Sequence, residues 1–258
     1  TGAELFVRCL ASQGVEWVSA LCGNGLNDVL AACQAAGIRV FDTRNEQTAA
    51  YMAESWARLS GRVGVCLVSS GVAHASALTG VANACFDGAP MLLVTGAGPR
   101  RTAGLGHFQD LDHAALAAPL CKFAATLDQA ERIPWLAHRA FGAALRGRPG
   151  PVHLTFPMDV QQEQTTAAPV GPVAPCAGAL PPPEQVRQAL ALLAAAQRPL
   201  LVAGSGAYYA GAEAELAAFA AAYAVPVVVP IWDRGAIPSP CPEFVGVVGA
   251  ASGDPPIL

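Results

Sequence analysis

Three segments between residues 61 and 157, GRVGVCLVSS, PMLLVTG and GPVHLTFP, are nearly unbroken apolar runs of strand length. None alternates apolar with polar residues as a strand with one wet face would, so each must be covered on both sides. Two further strand-length segments, EWVSALCG and IRVFDT, precede them. Between the runs, apolar residues recur at helical spacing over 2–13, 26–36, the stretch after Glu46, 73–86 and 129–145. Strands needing cover on both faces, alternating with helices that supply it, specify an α/β fold with a parallel sheet. That layout accounts for residues 1 to about 160.

The next segment, QQEQTTAAPVGPVAPCAGALPPP, is rich in proline and has no periodicity, which marks residues 161–185 as a linker. A second α/β unit spans 186–258. It opens with a helix over 184–196, a strand in PLLVAGSG, a helix over 211–224 and a strand in VPVVVPI, and runs on into a Gly/Pro-rich loop. So few elements make a thin domain, and the unit reads as partial.

Composition narrows the function classes. Hydrophobic residues make up 53% of the chain and charged ones 13%, and the net charge is −4. A nucleic-acid surface would need clustered Lys and Arg, so no nucleic-acid partner is expected. The longest apolar stretches, near 190–203 and 214–232, are interrupted by Gln197, Arg198, Pro199, Pro226 and Pro230, and no membrane partner is expected either. Eight cysteines, at 9, 22, 33, 66, 85, 121, 176 and 241, form no CxxC pair and read as reduced thiols of a cytoplasmic protein. The opening TGAELFVRCLASQGVEW lacks the basic and apolar regions of a signal peptide, and a start on Thr1 fits a tag, a trimmed end or a fragment.

Glu46 stands at the entrance of a helical stretch whose apolar residues, Ala49, Ala50, Ala53, Trp56, Ala57 and Leu59, fall on one face. Its bland reading is an acidic side chain favoured by the helix dipole. Five blocks alter that reading: GVEWVSALCGNG, DTRNEQTAAYMAESWARLSG, SSGVAHASALTGVANACFDGAPMLLVTG, FQDLDHAALAAPLCKFAATL and GRPGPVHLTFPMDV. In this order they resemble the thiamine-diphosphate enzymes of the acetolactate synthase, benzoylformate decarboxylase and benzaldehyde lyase type. The resemblance implies a pyrimidine-binding domain over 1–160 and a partial Rossmann-like central domain over 186–258. It sets Glu46 on the glutamate that hydrogen-bonds N1′ of the cofactor's aminopyrimidine. There a shared proton favours the imino form that takes the proton from C2, and an apolar setting suits proton sharing.

Other roles follow from the same resemblance. Gln109 matches a glutamine on the reacting side of the cofactor, with an exposed loop amide as the alternative. Phe108 is either a wall of the substrate pocket or core. Asn24 and Gly25 lie in the turn along the pyrimidine ring, where Asn24 replaces the family's proline. Ser70 and Gly71 retain the start of a Ser-Gly-Pro-Gly-x-x-Asn loop, while Val72, Ala73 and Ser76 depart from it, Ser76 at the Asn position. His74 is new in that loop and reads as a partly exposed histidine or, facing substrate, a proton-transfer group. His107 and His113 flank Gln109 as surface histidines or proton donors. Asp110, Asp112 and His113 offer too few convergent ligands for a metal.

Mg²⁺ and the cofactor's diphosphate are implied to be held by a domain with a Gly-Asp-Gly motif, which these 258 residues do not contain. The chain therefore reads as the pyrimidine half of a site. It is completed in a homodimer or homotetramer, or by a second chain carrying the diphosphate-binding domain. FAD stays open, because acetolactate synthases hold it in the middle domain and decarboxylase relatives do not; GSGAYYAG alone is a weak dinucleotide signal. The expected activity is decarboxylation or ligation of 2-oxo acids. The alternative is a family-derived subunit or fragment that no longer catalyses. An NAD-dependent oxidoreductase is disfavoured because CGNGLND lacks a third glycine.

Overall fold

A computed structural model describes residues 1–174, 180–233, 235–238 and 241–249. Six strands form one sheet: β1 (Trp17–Leu21), β2 (Arg39–Asp42), β3 (Gly64–Val68), β4 (Met91–Ala97), β5 (Phe123–Thr126) and β6 (Val152–Pro157). Their order is β2-β1-β3-β4-β6-β5, and every neighbouring pair is parallel. Seven helices accompany them: α1 (Gly2–Ser12), α2 (Asn27–Ala35), α3 (Glu46–Ser60), α4 (Val72–Asp87), α5 (His113–Ala117), α6 (Ile133–Leu145) and α7 (Met158–Gln162).

The continuous apolar runs are explained by the two cores they feed. Along β3, Val65 and Leu67 enter one cluster with α1, α2 and α6, while Cys66 and Val68 enter another with α3 and α4. Along β4, Leu92 and Val94 join the first, Met91 and Leu93 the second.

The second core is built from small residues. Helix α3 contributes Ala49, Ala50, Ala53 and Ala57, and α4 contributes Ala73, Ala77, Val81 and Ala84. A Cβ on Gly80 of α4 would lie 2.5 Å from the Ala50 Cβ, and one on Gly64 of β3 would lie 1.9 Å from the Ala53 carbonyl oxygen. Neither position has room for a side chain, so α3 lies flush on both the sheet and α4. The buried Ser19 hydroxyl of β1 donates to the Ala49 carbonyl at 2.6 Å, fixing the helix along its axis.

The chain divides into compact units at Thr1–Cys176 and Ala177–Leu258. In the second, α8 (Pro183–Ala195), β7 (Leu201–Val202), α9 (Ser205–Tyr209), α10 (Glu213–Tyr223), β8 (Val227–Pro230) and β9 (Phe244–Val248) appear, with the strands parallel in the order β7-β8-β9. Ala203, Ala220, Val227, Val229 and Ala236 form its small core. Residues 175–179, within the expected linker, and 250–258, which include the GDPP run, lie outside the described residues.

Three departures from the sequence reading have local causes. Strand β5 is Phe-Ala-Ala-Thr at the sheet edge, three half-exposed residues and an exposed Thr126, too short to stand out as an apolar run. The PLLVAGSG strand shortens to two residues because Ser205 opens α9. Beyond Pro230 the loop contains β9. The first part of the linker also clings to the first unit. The Val173 amide donates to Gln13 Oε1 at 2.8 Å, the Gln13 amide to the Gly171 carbonyl at 3.1 Å, and Ala167 and Val173 pack on the larger core.

Two outcomes are expected. Gly80→Ala should destabilise the protein by about 1–3 kcal/mol, the range for overpacking, despite the roughly 1 kcal/mol that Ala gains over Gly in a helix. Urea denaturation checks the sign, and a more stable variant would mean that α3 and α4 can part. Limited elastase digestion should cut first between Val173 and Gln185, not within 161–172, with the fragment masses reading the site.

Candidate active site

In an open parallel sheet, ligands sit beyond the carboxyl ends of the strands, at the point where the winding reverses. Here the reversal lies between β1 and β3. Four segments rise at that edge: the turn 22–26 after β1, residues 43–46 after β2, 69–71 after β3 and the long loop after β4.

The 22–26 turn is wedged in place. Gly25 has φ +84°, and a Cβ there would lie 2.8 Å from the Ala97 amide nitrogen; one on Gly96 would lie 2.5 Å from the Gly25 oxygen. The Gln161 amide, reaching from α7, donates to that same oxygen at 2.6 Å. Asn24, held by this turn, donates through Nδ2 to Ser70 Oγ at 3.2 Å, and the Ser69 hydroxyl donates to the Asn24 carbonyl at 3.0 Å. Ser70 Oγ in turn donates to Gln109 Oε1 at 2.9 Å. One line of hydrogen bonds thus joins three of the four segments. Gln109 has φ 59°, a left-handed conformation uncommon for a side chain of its kind, and its Cβ stacks where Gly71 has none.

Glu46 is the first residue of α3. The helix is capped by Asn45, whose Oδ1 accepts from the Gln47 amide at 2.7 Å, and the Thr43 hydroxyl lies 3.2 Å from the Ala20 carbonyl and 2.9 Å from that of Asn45. The segment is therefore rigid where Glu46 begins. Its carboxylate is half-buried and has no hydrogen bond or ion pair among the described residues. Its charge reaches inward: burial pushes the Cys66 thiol up to about 12, Ser19 opposes this, and Glu46 adds to it.

The remaining residues divide. Ser76 lies half-buried in α4, its carbonyl accepting from the Thr79 hydroxyl at 3.0 Å. Phe108 is 68% exposed, which removes the core reading and leaves it projecting from the loop. With Gln109, Leu111, His113, Thr126 and Thr155 it borders a cavity of about 700 Å³ beneath the loop. Arg100 anchors the start of that loop, pairing with Asp159 at 2.8 Å and Glu163 at 2.6 Å and donating to the Asp128 carbonyl. His107 is exposed.

Two histidines are not where the sequence suggested. His74 is neither partly exposed nor in a loop; it is on α4, fully buried, with Nδ1 2.8 Å from the Thr95 hydroxyl. His113 is buried too, and its Nε2 accepts from the Gly71 amide at 2.8 Å. A third, His153 of β6, went unremarked because it sits within the apolar run PVHLTFP; its Nε2 is 3.1 Å from the same Thr95 hydroxyl. Burial lowers all three: His74 to about 4, assisted by the His113 ring, His113 against the pull of Asp112 and Asp110, and His153 well below the usual range. Among the described residues, no group of three His, Cys, Asp or Glu side chains is arranged to hold a metal ion.

The parallel sheet flanked by helices, with polar groups gathered where its winding reverses, defines an α/β protein with a crevice at the strand ends. Residues 1–116 match the family described as thiamine pyrophosphate enzyme, N-terminal TPP binding domain, and residues 186–256 match thiamine pyrophosphate enzyme, central domain. The chain belongs to the thiamine pyrophosphate enzyme family. Over 96% of its length it is 34% identical to an acetolactate synthase of Arthrospira platensis, covering 45% of that protein, and 33% identical to acetolactate synthase isozyme 3 large subunit of Escherichia coli, covering 44%. Over 61% of its length it is 40% identical to 2-hydroxyacyl-CoA lyase 2 of Danio rerio, covering 25% of that protein. The chain thus spans less than half the length of these relatives.

The neutral histidines carry an expectation for pH. Their folded pKa values lie below the unfolded value of 6.5, so the unfolded chain binds more protons in between. Stability should be full above about pH 6.5 and fall as pH drops towards 4. Urea midpoints at pH 7.5, 6 and 5 should show this decline, and a shallower one in His153→Phe.

Proposed function

We propose that this chain is the pyrimidine-binding domain, with the start of the central domain, of a thiamine-diphosphate enzyme that decarboxylates or ligates 2-oxo acids. The observation carrying the reading is the half-buried Glu46, fixed on a rigid helix start, without a hydrogen-bond or ion-pair partner among the described residues and at the edge where the Asn24–Ser70–Gln109 line converges. A donor group such as an aminopyrimidine fits that carboxylate. The turn that would lie along the ring is held rigid because Gly23 and Gly25 pack without a Cβ against Ser69 and Ala97.

When bound, thiamine diphosphate supplies the electron sink for breaking or making the bond beside a 2-oxo carbonyl. Glu46 holds and returns a proton at the pyrimidine N1′. Gln109 uses Oε1 to accept from Ser70, which leaves its Nε2–H groups to donate to a substrate carboxylate or carbonyl. Asn24, Gly25, Ser70, Gly71 and Ser76 line the cofactor side and Phe108 the substrate side, while His74, fully buried on α4, stands behind that pocket instead of facing it. Mg²⁺ and the diphosphate are held by residues outside these 258, on a further domain or a partner chain in a dimeric or tetrameric assembly. The seven described cysteines are all free, which supports a cytoplasmic location, and no described helix is long and apolar enough to cross a membrane. FAD is not part of this proposal: the Gly204 turn opens on a helix of five residues, a short platform for a dinucleotide.

The higher identity to the Danio rerio lyase favours a second reading, in which the same groups cleave a 2-hydroxyacyl thioester. In the full-length enzyme, Glu46→Gln should slow hydrogen–deuterium exchange at the cofactor C2 by about 10²–10⁴-fold while the melting temperature holds. A glutamate serving only the helix dipole would change stability by about 0.3–1 kcal/mol and leave exchange alone. Equal exchange rates in the two proteins would remove Glu46 from the mechanism.

A further inference from the structure

Three histidines meet beneath the Ser70–Gly71 turn, one from each of α4, α5 and β6. The ring centroids of His74 and His113 are 5.0 Å apart, and those of His74 and His153 are 4.8 Å apart. His74 Nε2, His113 Nδ1, His153 Nδ1 and the Thr155 hydroxyl have no hydrogen-bond partner among the described residues. Buried polar atoms left so are destabilising, so an apolar core here would be the more stable choice.

Hydrogen bonding dictates the protonation of the cluster. The Gly71 N–H points at His113 Nε2, so that nitrogen must present its lone pair and the neutral ring carries its proton on Nδ1. The Thr95 hydroxyl has one proton to share between His74 Nδ1 and His153 Nε2, so at most one of those rings accepts from it and the other donates. The bond to Gly71 matters because of what Gly71 touches. Its backbone stands at φ 60° and ψ −115°, and a Cβ there would meet the Gln109 Cβ at 2.6 Å. Gln109 is itself left-handed and held through Oε1 by the neighbouring Ser70. Gln109 in its left-handed conformation and Gly71, where a Cβ would clash, therefore pack directly on each other, and His113 grips Gly71.

We infer that His113 is a positioning residue: its Nε2 lone pair holds the Gly71 amide and, through it, the Ser70–Gln109 pair of the substrate site. The last step rests on the functional reading above; the hold on Gly71 does not. A proton on Nε2 would set two hydrogens against each other and release the turn. His74 from α4 meets the His113 ring edge-on, His153 from β6 meets His74, and β5 brings no titratable group. Asp110 and Asp112 of its own segment favour the cation, but burial outweighs them and keeps the ring neutral below the usual imidazole range.

Two variants separate acceptor from filler. His113→Gln keeps an acceptor oxygen and cannot titrate; His113→Phe keeps bulk and loses the acceptor. NMR of the 258-residue chain should show the Nδ1–H tautomer at His113. Gly71 amide exchange should be about tenfold faster in His113→Phe and within about threefold of wild type in His113→Gln. After correction for intrinsic rates, wild-type Gly71 protection should hold through the usual imidazole range and fall only at lower pH, while that of His113→Gln stays level. In the full-length enzyme, kcat should drop about 10–100-fold in His113→Phe, with exchange at the cofactor C2 unchanged, and recover in His113→Gln. An Nε2–H tautomer, wild-type Gly71 exchange in His113→Phe, or equal loss in both variants would overturn the inference. If His113→Phe fails to fold, the pH comparison of wild type with His113→Gln decides. Should wild type prove inactive on 2-oxo acids, the functional reading fails while the Gly71 measurements still judge the hold.

Discussion

The close approach of α3 to β3 and α4 underlies the rest of the first unit. Gly64 lets the Ala53 carbonyl reach the sheet, and Gly80 lets Ala50 reach α4, so the helix has no slack across its axis. The Ser19 hydroxyl removes the slack along it. An acid at the first residue of such a helix is held by packing that begins a full turn away. A looser helix of leucines would bury more surface, yet leave its N-terminus free to shift against the strand ends.

The same economy of small residues appears at the crevice. Gly25 and Gly96 meet back to back, and Gly71 meets Gln109, each contact excluding a Cβ. Polar groups are then aligned across segments that are distant in sequence, Asn24 to Ser70 to Gln109. Behind them the histidine cluster gives up core stability, since neutral rings in an apolar interior leave polar atoms unmatched. Positioning at this site is therefore a backbone matter first, with side chains completing it.

Much of this was legible beforehand. The parallel sheet followed from strands apolar on both faces, because β3 and β4 divide alternate residues between two cores. Glu46, Asn24, Ser70 and Gln109 were identifiable as site candidates from the resemblance of their surrounding blocks. Strand β5 was not legible: Phe123-Ala-Ala-Thr126, four partly to fully exposed edge residues, carries no pattern, and only pairing with β6 makes it a strand. The burial of His74 and His113 was hidden as well, since an imidazole in a sequence does not reveal whether its neighbours are water or another ring.

What the sequence determined by itself was the alternation of strands and helices and the identity of the side chains at the strand ends. Both are local: apolar periodicity and turn residues act over a few positions. What only the tertiary structure decided was which of those side chains meet. Gly71 comes to His113 across 42 residues and Thr95 to His153 across 58, through a sheet order in which β6 is inserted between β4 and β5. Such contacts depend on strand order and on clearances of a fraction of an ångström, and neither is written in the spacing of residues along a chain.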